Sequence, residues 1–277
     1  MATMKTDERT DTEQTTGTQL LDRTVGVIKL LGEFGEKGAR MSEIAGSLGL
    51  KTSTAHRIVT ALERHGLIER ERATKRYRLG LALFALGATA ADGTGLRKLC
   101  RPALLRLAGE TGDTVFLMAR SGLNVVCVDR QEGSYMLDSL TGHVGGQIPM
   151  GVGPASQAIM AFLPQDEANA ILEANAALYA RYHGVSADKI RASLPQIRSQ
   201  HYALDHGELV AGISALAVPI LPQKRDAVAS IAINMTSARL APERLTALLE
   251  LLKVQVARIE ETINPLEGTV GRAPGQV

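Results

Sequence analysis

Thr52, Ser53, Thr54, His56, Arg57 and Thr60 fall close together in the stretch KTSTAHRIVTALERHG, and Arg70, Arg72, Lys75 and Arg76 follow in LIERERATKRYRLG. Hydroxyls and cations at this density suit a polyanion. Ser and Thr hydroxyls and backbone N–H groups anchor on phosphates, and Arg or His can reach base edges in a major groove about 12 Å wide. From Lys51 to Gly80 eight Lys/Arg stand against three Glu, a net of +5, which leaves −3 for the rest of a chain that totals +2. A basic segment on a mildly acidic protein is the footprint of a nucleic-acid partner. Charge alone would fit a solvated surface run equally well. The spacing of the neighbouring residues favours nucleic acid over a helical module that uses its hairpin for protein contacts.

Enzymatic chemistry would need a constellation of its own. GVGPASQ has two glycines but Ser156 where a dinucleotide fingerprint places its third. No GxSxG elbow surrounds a serine, and there is no HExxH or clustered Cys/His spacing; His183, His201 and His206 are scattered among polar residues. The densest polar cluster is LDHGE, where Asp205 and Glu208 read either as an acid/base pair or as a solvated loop, with the loop favoured. The expectation is a non-enzyme with no catalytic residue, no metal and no cofactor.

The elements that must carry the basic stretch are legible from apolar spacing. LLDRTVGVIKLLGEFG places Leu20, Leu21, Val25, Ile28, Leu31 and Phe34 in one helical stripe, closed by Gly35 and Gly38. A short helix follows, expected to be capped by Ser42, with Ile44, Ala45 and Leu48 inward and Gly49 ending it. The third helix begins at Thr52 or Ser53. Ala55, Ile58, Val59 and Leu62 are its buried stripe, and Ser53, Arg57, Thr60 and Arg64 lie opposite with His56 flanking. LIER and RYRL read as a hairpin with Ile68, Tyr77 and Leu79 inward and its Arg side chains outward. Helix, helix, turn, helix and basic hairpin is the winged helix-turn-helix plan.

The remainder reads as a second domain. LGLALFALGATAADGTG is an Ala/Leu helix too apolar for a free linker, and it is expected to pack against its equivalent in another subunit. LRKLCRPALLRLAGETG is amphipathic, with Pro102 implying a kink or restart. TVFLMAR, NVVCVDR, YMLDSL, QIPMG, SALAVPIL and AVASIAINMT read as strands of an antiparallel sheet, the last two joined by PQKRD. Three helices stand between QIPMG and SALAVPIL, and a long one runs from Pro242 to about Thr262. The boundaries are a disordered tail at 1–18, the winged helix at 19–80, a linker helix at 81–95, the second domain at 96–263 and a flexible tail at 264–277. With 277 residues, 45% hydrophobic, 22% charged and mean hydropathy +0.02, the fold class is α+β in a packed soluble protein. No run is apolar enough to span a bilayer, the N-terminus lacks a secretory h-region, and Cys100 and Cys127 read as buried thiols, so the expected compartment is the cytoplasm and no membrane is engaged.

LDRTVGVIKLL, MSEIAGSLGLKTSTAHRIVTALERHGLIER and RYRLG, with LRKLCRPALLRLAGETGDTVFL, VVCVDRQEG, GQIPM, ASQAIMAFLP, YALDHGELVAGISALAVPI and LAPERL, make the chain resemble the IclR family of bacterial transcription regulators from about Gln19 to Ile263. The resemblance implies an N-terminal winged helix on double-stranded operator DNA, a helical linker, a C-terminal effector-binding domain of the profilin/GAF-like kind, and a homodimer or homotetramer. Carried over by motif position, the effector site is Leu137, Leu140, Ile148, Pro154, Ala155, Asp205, Ala215, Ala232 and Asn234. This chain departs from the family pattern, which often has Cys at Ala215, Ser near Ala232 and Asn234, and HATALGKA where GVGPASQA stands. A pocket short of a thiol and a hydroxyl is drier and roomier, which implies a small organic acid or related metabolite with an aromatic or otherwise bulkier body. The alternative is a DNA-binding oligomer whose second domain only assembles and binds no ligand.

Overall fold

The computed structural model describes residues 10–93, 95–135, 137, 140, 143–222 and 226–263, and the chain divides into two units, Met1–Ala90 and Ala91–Val277. The first unit opens with α1 (Thr10–Phe34), on which Val27 and Leu31 are fully buried. Residues 10–18, expected in a tail, are helical and begin α1; residues 1–9 lie outside the described residues. α2 (Met41–Ser47) and α3 (Thr52–Arg64) follow a 3-10 turn.

The cap of α2 differs from expectation, whereas α3 begins at Thr52 as expected. Arg40 is the N-cap of α2, and the Glu43 side chain accepts its N–H at 2.7 Å, so Ser42 lies inside the helix. This is half of a capping box built on acidic chemistry three residues in. Lys51 is the N-cap of α3, which leaves Thr52 and Ser53 in its first turn. The buried stripe of α3 is Ala55, Ile58, Val59 and Leu62, as the spacing demands. The hairpin is β1 (Ile68–Arg70) against β2 (Tyr77–Leu79), antiparallel, with Ile68 opposite Leu79. Ile68 and Tyr77 join the core of α1, α2 and α3, but Leu79 is 41% exposed. On α1 it lies against Gly32, where an added Cβ would stand 3.8 Å from Leu79 Cδ1. α4 (Leu81–Gly93) follows, and the division into units falls within it.

The second unit begins with α5 (Leu96–Thr111), which runs unbroken through Pro102 rather than restarting there. Then come β3 (Thr114–Ser121), β4 (Asn124–Gln131), β5 (Gln147–Pro149), α6 (Gly153–Met160), α7 (Gln165–Tyr179), α8 (Ala187–Gln200), β6 (Ala203–Val210), β7 (Ile213–Ile220), β8 (Ala229–Thr236) and α9 (Pro242–Thr262). The strands form one antiparallel sheet in the order β5-β4-β3-β8-β7-β6. Alternation assigns the faces. Val115 and Leu117 pack with α5 and α9, whereas Phe116 and Met118 pack with α6, α7 and α8. Helices on both sides explain why the inner strands read as nearly continuous apolar runs.

Two strand assignments change. In YMLDSL the described residues Tyr135, Leu137 and Leu140 are not in a strand, while ALDHGELV, expected as a loop, is edge strand β6. Gln223–Arg225 in the β7–β8 connection and the tail 264–277 lie outside the described residues. The winged helix-turn-helix followed by an antiparallel sheet flanked by helices is the α+β architecture expected.

Candidate functional site

On α3 the face opposite the buried stripe is wet. Thr52, Ser53, His56, Arg57, Thr60 and Arg64 are exposed and Thr54 is half-buried. His56 Nδ1 lies 3.3 Å from the Thr60 hydroxyl one turn away, which orients the ring on the open face. In the hairpin, Arg70, Arg72 and Lys75 are exposed, and the Arg70 guanidinium sits 5.6 Å from the centroid of the Tyr77 ring. Arg76 differs from its neighbours. Its Nη1 donates to Gly38 O at 2.8 Å and to Glu43 at 3.1 Å, so it pins the hairpin to the start of α2. The Arg76 guanidinium is committed to the fold and does not share the open face with Arg72 and Lys75.

In the second unit a cavity of about 330 Å³ lies between the sheet, the start of α6 and the β6–β7 hairpin. Its floor follows from strand register. Asp205 pairs with Ala215, Ala215 with Asn234, and Asn234 with Thr114, so four strands place these residues on one rung. The next rung on the same face is Ala203, Ala217, Ala232 and Phe116. Alanines at the middle of both rungs leave the space that larger side chains would fill. Leu140, Ile148, Pro154, Ala155, Asp205, Ala215, Ala232 and Asn234 all line the cavity. Leu137 does not; its N–H donates to Thr114 and its carbonyl accepts from Arg130 at 3.0 Å, beside the site. Phe116, Met118, Val152, Gly153, Leu209, Val210 and Ile213 line it too and escaped the sequence reading. Alternation along TVFLMAR could have flagged Phe116 and Met118 once one face was known. The β6–β7 residues needed β6 to be recognised as a strand.

The polar groups of the cavity are held in place. The Asp205 carboxylate accepts N–H groups of Gly207 (3.3 Å), Glu208 (3.1 Å) and Leu209 (3.4 Å), which fixes its rotamer. The loop before α6 is fixed from behind. Ser156 Oγ accepts from Gly151 N–H and donates to Val152 O, Gln157 donates to Gly151 O, and Asn175 and Tyr179 on α7 both donate to Met150 O. Burial raises the Tyr179 phenol above its ordinary range, so it stays a donor. An apolar cavity of this size with a few fixed polar groups is a small-molecule site by its dimensions and walls.

Ionic clamps brace the same unit. Asp113, with no exposed surface, takes Arg239 at 2.8 Å and Arg244 at 2.5 Å, and Arg239 stacks 3.7 Å from the Tyr135 ring centroid. Buried Asp129 pairs with Arg101 at 3.1 Å and Arg97 at 3.8 Å. Cys100 and Cys127 are free and buried on opposite faces of the sheet. Burial, with Asp129 adding to it, pushes their thiols up to about 12 and about 11, so neither is a nucleophile at neutral pH. Among the described residues no three His, Cys, Asp or Glu side chains gather as metal ligands, and no helix is long and apolar enough to cross a membrane.

A winged helix with a basic open face, joined in one chain to a unit with a small-molecule cavity, defines a DNA-binding transcription regulator with an effector domain. Residues 20–72 match the model of the IclR helix-turn-helix domain and residues 88–261 that of the bacterial transcriptional regulator IclR C-terminal domain. The chain belongs to the IclR family. It is 28% identical over 225 residues to the HTH-type transcriptional regulator KipR of Bacillus subtilis, covering 80% of this chain and 89% of the relative. Among solved structures, an IclR transcriptional regulator from Alicyclobacillus acidocaldarius superposes with a TM-score of 0.74 at 25% identity, covering 88% of this chain and 98% of the other. An IclR homologue from Microbacterium hydrocarbonoxydans, complexed with 4-hydroxybenzoate, gives a TM-score of 0.71 at 21% identity, covering 87% and 98%. The family's members are regulators and not enzymes, and they bind operator DNA and small-molecule effectors.

Proposed function

We propose that this chain grips operator DNA with the open face of α3 and with Arg70, Arg72 and Lys75 of the wing, and releases or tightens that grip when an organic acid with an aromatic or similarly bulky body enters the second-unit cavity. Arg57 and His56 read base edges; Thr52, Ser53, Thr54 and Thr60 anchor on phosphate. The working form is a homodimer or homotetramer in the cytoplasm. Exposed Leu20, Leu21 and Val25 on α1, and Leu81, Phe84 and Leu86 on α4, support pairing through the first unit.

The observation that carries the effector reading is the rung of Asp205, Ala215 and Asn234 beneath Pro154 and Ala155. Positions far apart in sequence converge on one apolar cavity holding a fixed carboxylate, an amide and the first turn of α6. The 4-hydroxybenzoate bound by the Microbacterium homologue supports an aromatic acid as the class. A ligand that favours one arrangement of the protein shifts its population and thereby its operator affinity. The test is fluorescence anisotropy on the protein's own promoter DNA, screened with aromatic and aliphatic acids. An acid should shift the binding midpoint, and Asp205→Ala, which removes the fixed acceptor from the cavity, should abolish that shift. No shift across the screen would leave a DNA-binding oligomer without a sensor.

A further inference from the structure

The effector cavity has a neighbour. A second cavity of about 860 Å³ opens between α8 and the β6–β7 hairpin, and Gly153, Pro154, Asp205 and Leu209 line both. The two differ in chemistry. Among the described residues lining the inner cavity Asp205 is the one ionisable side chain; the outer adds His183, Lys189 and Glu208. Charge there is divided by side. Lys189, on α8, has its Nζ 3.0 Å from Gly184 O at the loop that also carries His183, while the carboxylates of Asp205 and Glu208 belong to the hairpin. The partition between the cavities is thin. Gly153 has φ +76°, and a Cβ there would stand 3.3 Å from Leu209 Cδ2, so the Leu209 side chain packs on a glycine where the cavities adjoin, with Pro154 and Asp205 as the other shared walls. Leucine rotamers exchange far faster than folds rearrange.

A ligand carboxylate in the inner cavity would have the Asn234 amide and the first turn of α6 as uncharged partners, and the nearer it stood to the Asp205 carboxylate the more strongly the like charges would repel in these apolar surroundings. The cation that would relieve this lies in the outer cavity. The donor that Asp205 can still accept is best supplied by a neutral N–H at the neck.

We infer that both cavities take one ligand, an N-acyl or N-aroyl amino acid. Its apolar body fills the inner cavity, its amide N–H meets Asp205, and its terminal carboxylate reaches Lys189, with His183 as a second donor. This rests on the effector reading above and names the ligand class for it.

The test is isothermal titration calorimetry on the full chain with two probes that share a body, phenylacetate and N-phenylacetylglycine. The amino-acid conjugate should bind at least tenfold tighter, and Lys189→Ala should bring the ratio of the two dissociation constants below threefold. Ala215→Phe, which fills the inner cavity, should weaken both. A native ratio under tenfold, a ratio that Lys189→Ala leaves above threefold, or the failure of both probes to bind overturns the inference. The sensor reading is decided separately: if a compact acid without an arm shifts the promoter-binding midpoint while the conjugate has no advantage, that reading stands and the two-cavity ligand falls.

Discussion

Arg72 and Arg76 lie four residues apart in the same basic hairpin, yet the structure gives them separable roles. Arg76 Nη1 donates to a backbone carbonyl, Gly38 O, at 2.8 Å, and pairs with Glu43 at 3.1 Å. A hydrogen bond from a charged donor contributes about 1.5–3 kcal/mol. The ion pair is part-exposed on both sides, 28% and 38%, so it adds only about 0.2–1 kcal/mol. Arg76→Ala should therefore destabilise the first unit by about 2–4 kcal/mol. A double-mutant cycle with Glu43→Ala should return a coupling of about 0.2–1 kcal/mol. Arg72 is exposed, and its truncation should alter stability by no more than about 0.5 kcal/mol. Its loss should instead lower the slope of log K against log salt by about 0.9 for each phosphate contact removed. Chemical denaturation reads the first quantity and anisotropy titrations across salt read the second. If Arg76→Ala left stability unchanged and flattened the salt dependence as much as Arg72→Ala, the division of roles would be wrong.

Asp113→Ala strands two guanidinium groups that are themselves about a quarter exposed, so it should cost near the lower end of about 3–5 kcal/mol, read by denaturation of the second unit; Asp113→Asn should recover part of it. Burial raises the Glu260 carboxyl above its ordinary range despite the 2.6 Å bond from Leu221 N–H. A carboxyl raised in the folded state contributes stability at pH below its unfolded value and loses it as pH rises through the folded one. Glu260→Gln keeps the acceptor and removes that titration, so its stability relative to the native chain should improve from about pH 4 to about pH 7; a constant difference across that range would contradict the assignment. With Cys127 at about 11 and Cys100 at about 12, thiolate at about pH 8 is on the order of a thousandth or less. Iodoacetamide should label neither cysteine in the folded protein and both in guanidinium, and fast native labelling of either would refute the burial argument.

The elements read best in advance were those specified locally. Ala55, Ile58, Val59 and Leu62 repeat at helical spacing, and that pattern fixes which face of α3 is dry whatever surrounds it. The cap of α2 was misread because Ser42 is the better capping residue in isolation, whereas Glu43 reaching back to Arg40 decides the start. Arg76 looked like its neighbours because a contact with Gly38, 38 positions away, leaves no local trace. Edge strand β6 was hidden by Asp205, His206, Gly207 and Glu208, which remove the apolar alternation, and by an irregular register between Asp205 and Val210. The cavity was legible through motif resemblance rather than physics. Nothing local tells Ala215 and Asn234 that they will stand side by side; the β7–β8 register does.

The central claim is that the open face of α3 reads DNA, and Arg57→Ala tests it most directly. Arg57 is exposed on α3 and spends nothing on the core, so the variant should fold as the native chain does. Titrated against the protein's own promoter DNA at fixed salt, it should lose about 1–3 kcal/mol of binding, roughly five- to 150-fold in affinity, and with it preference for one base position. An unchanged binding midpoint and unchanged sequence preference would contradict the account.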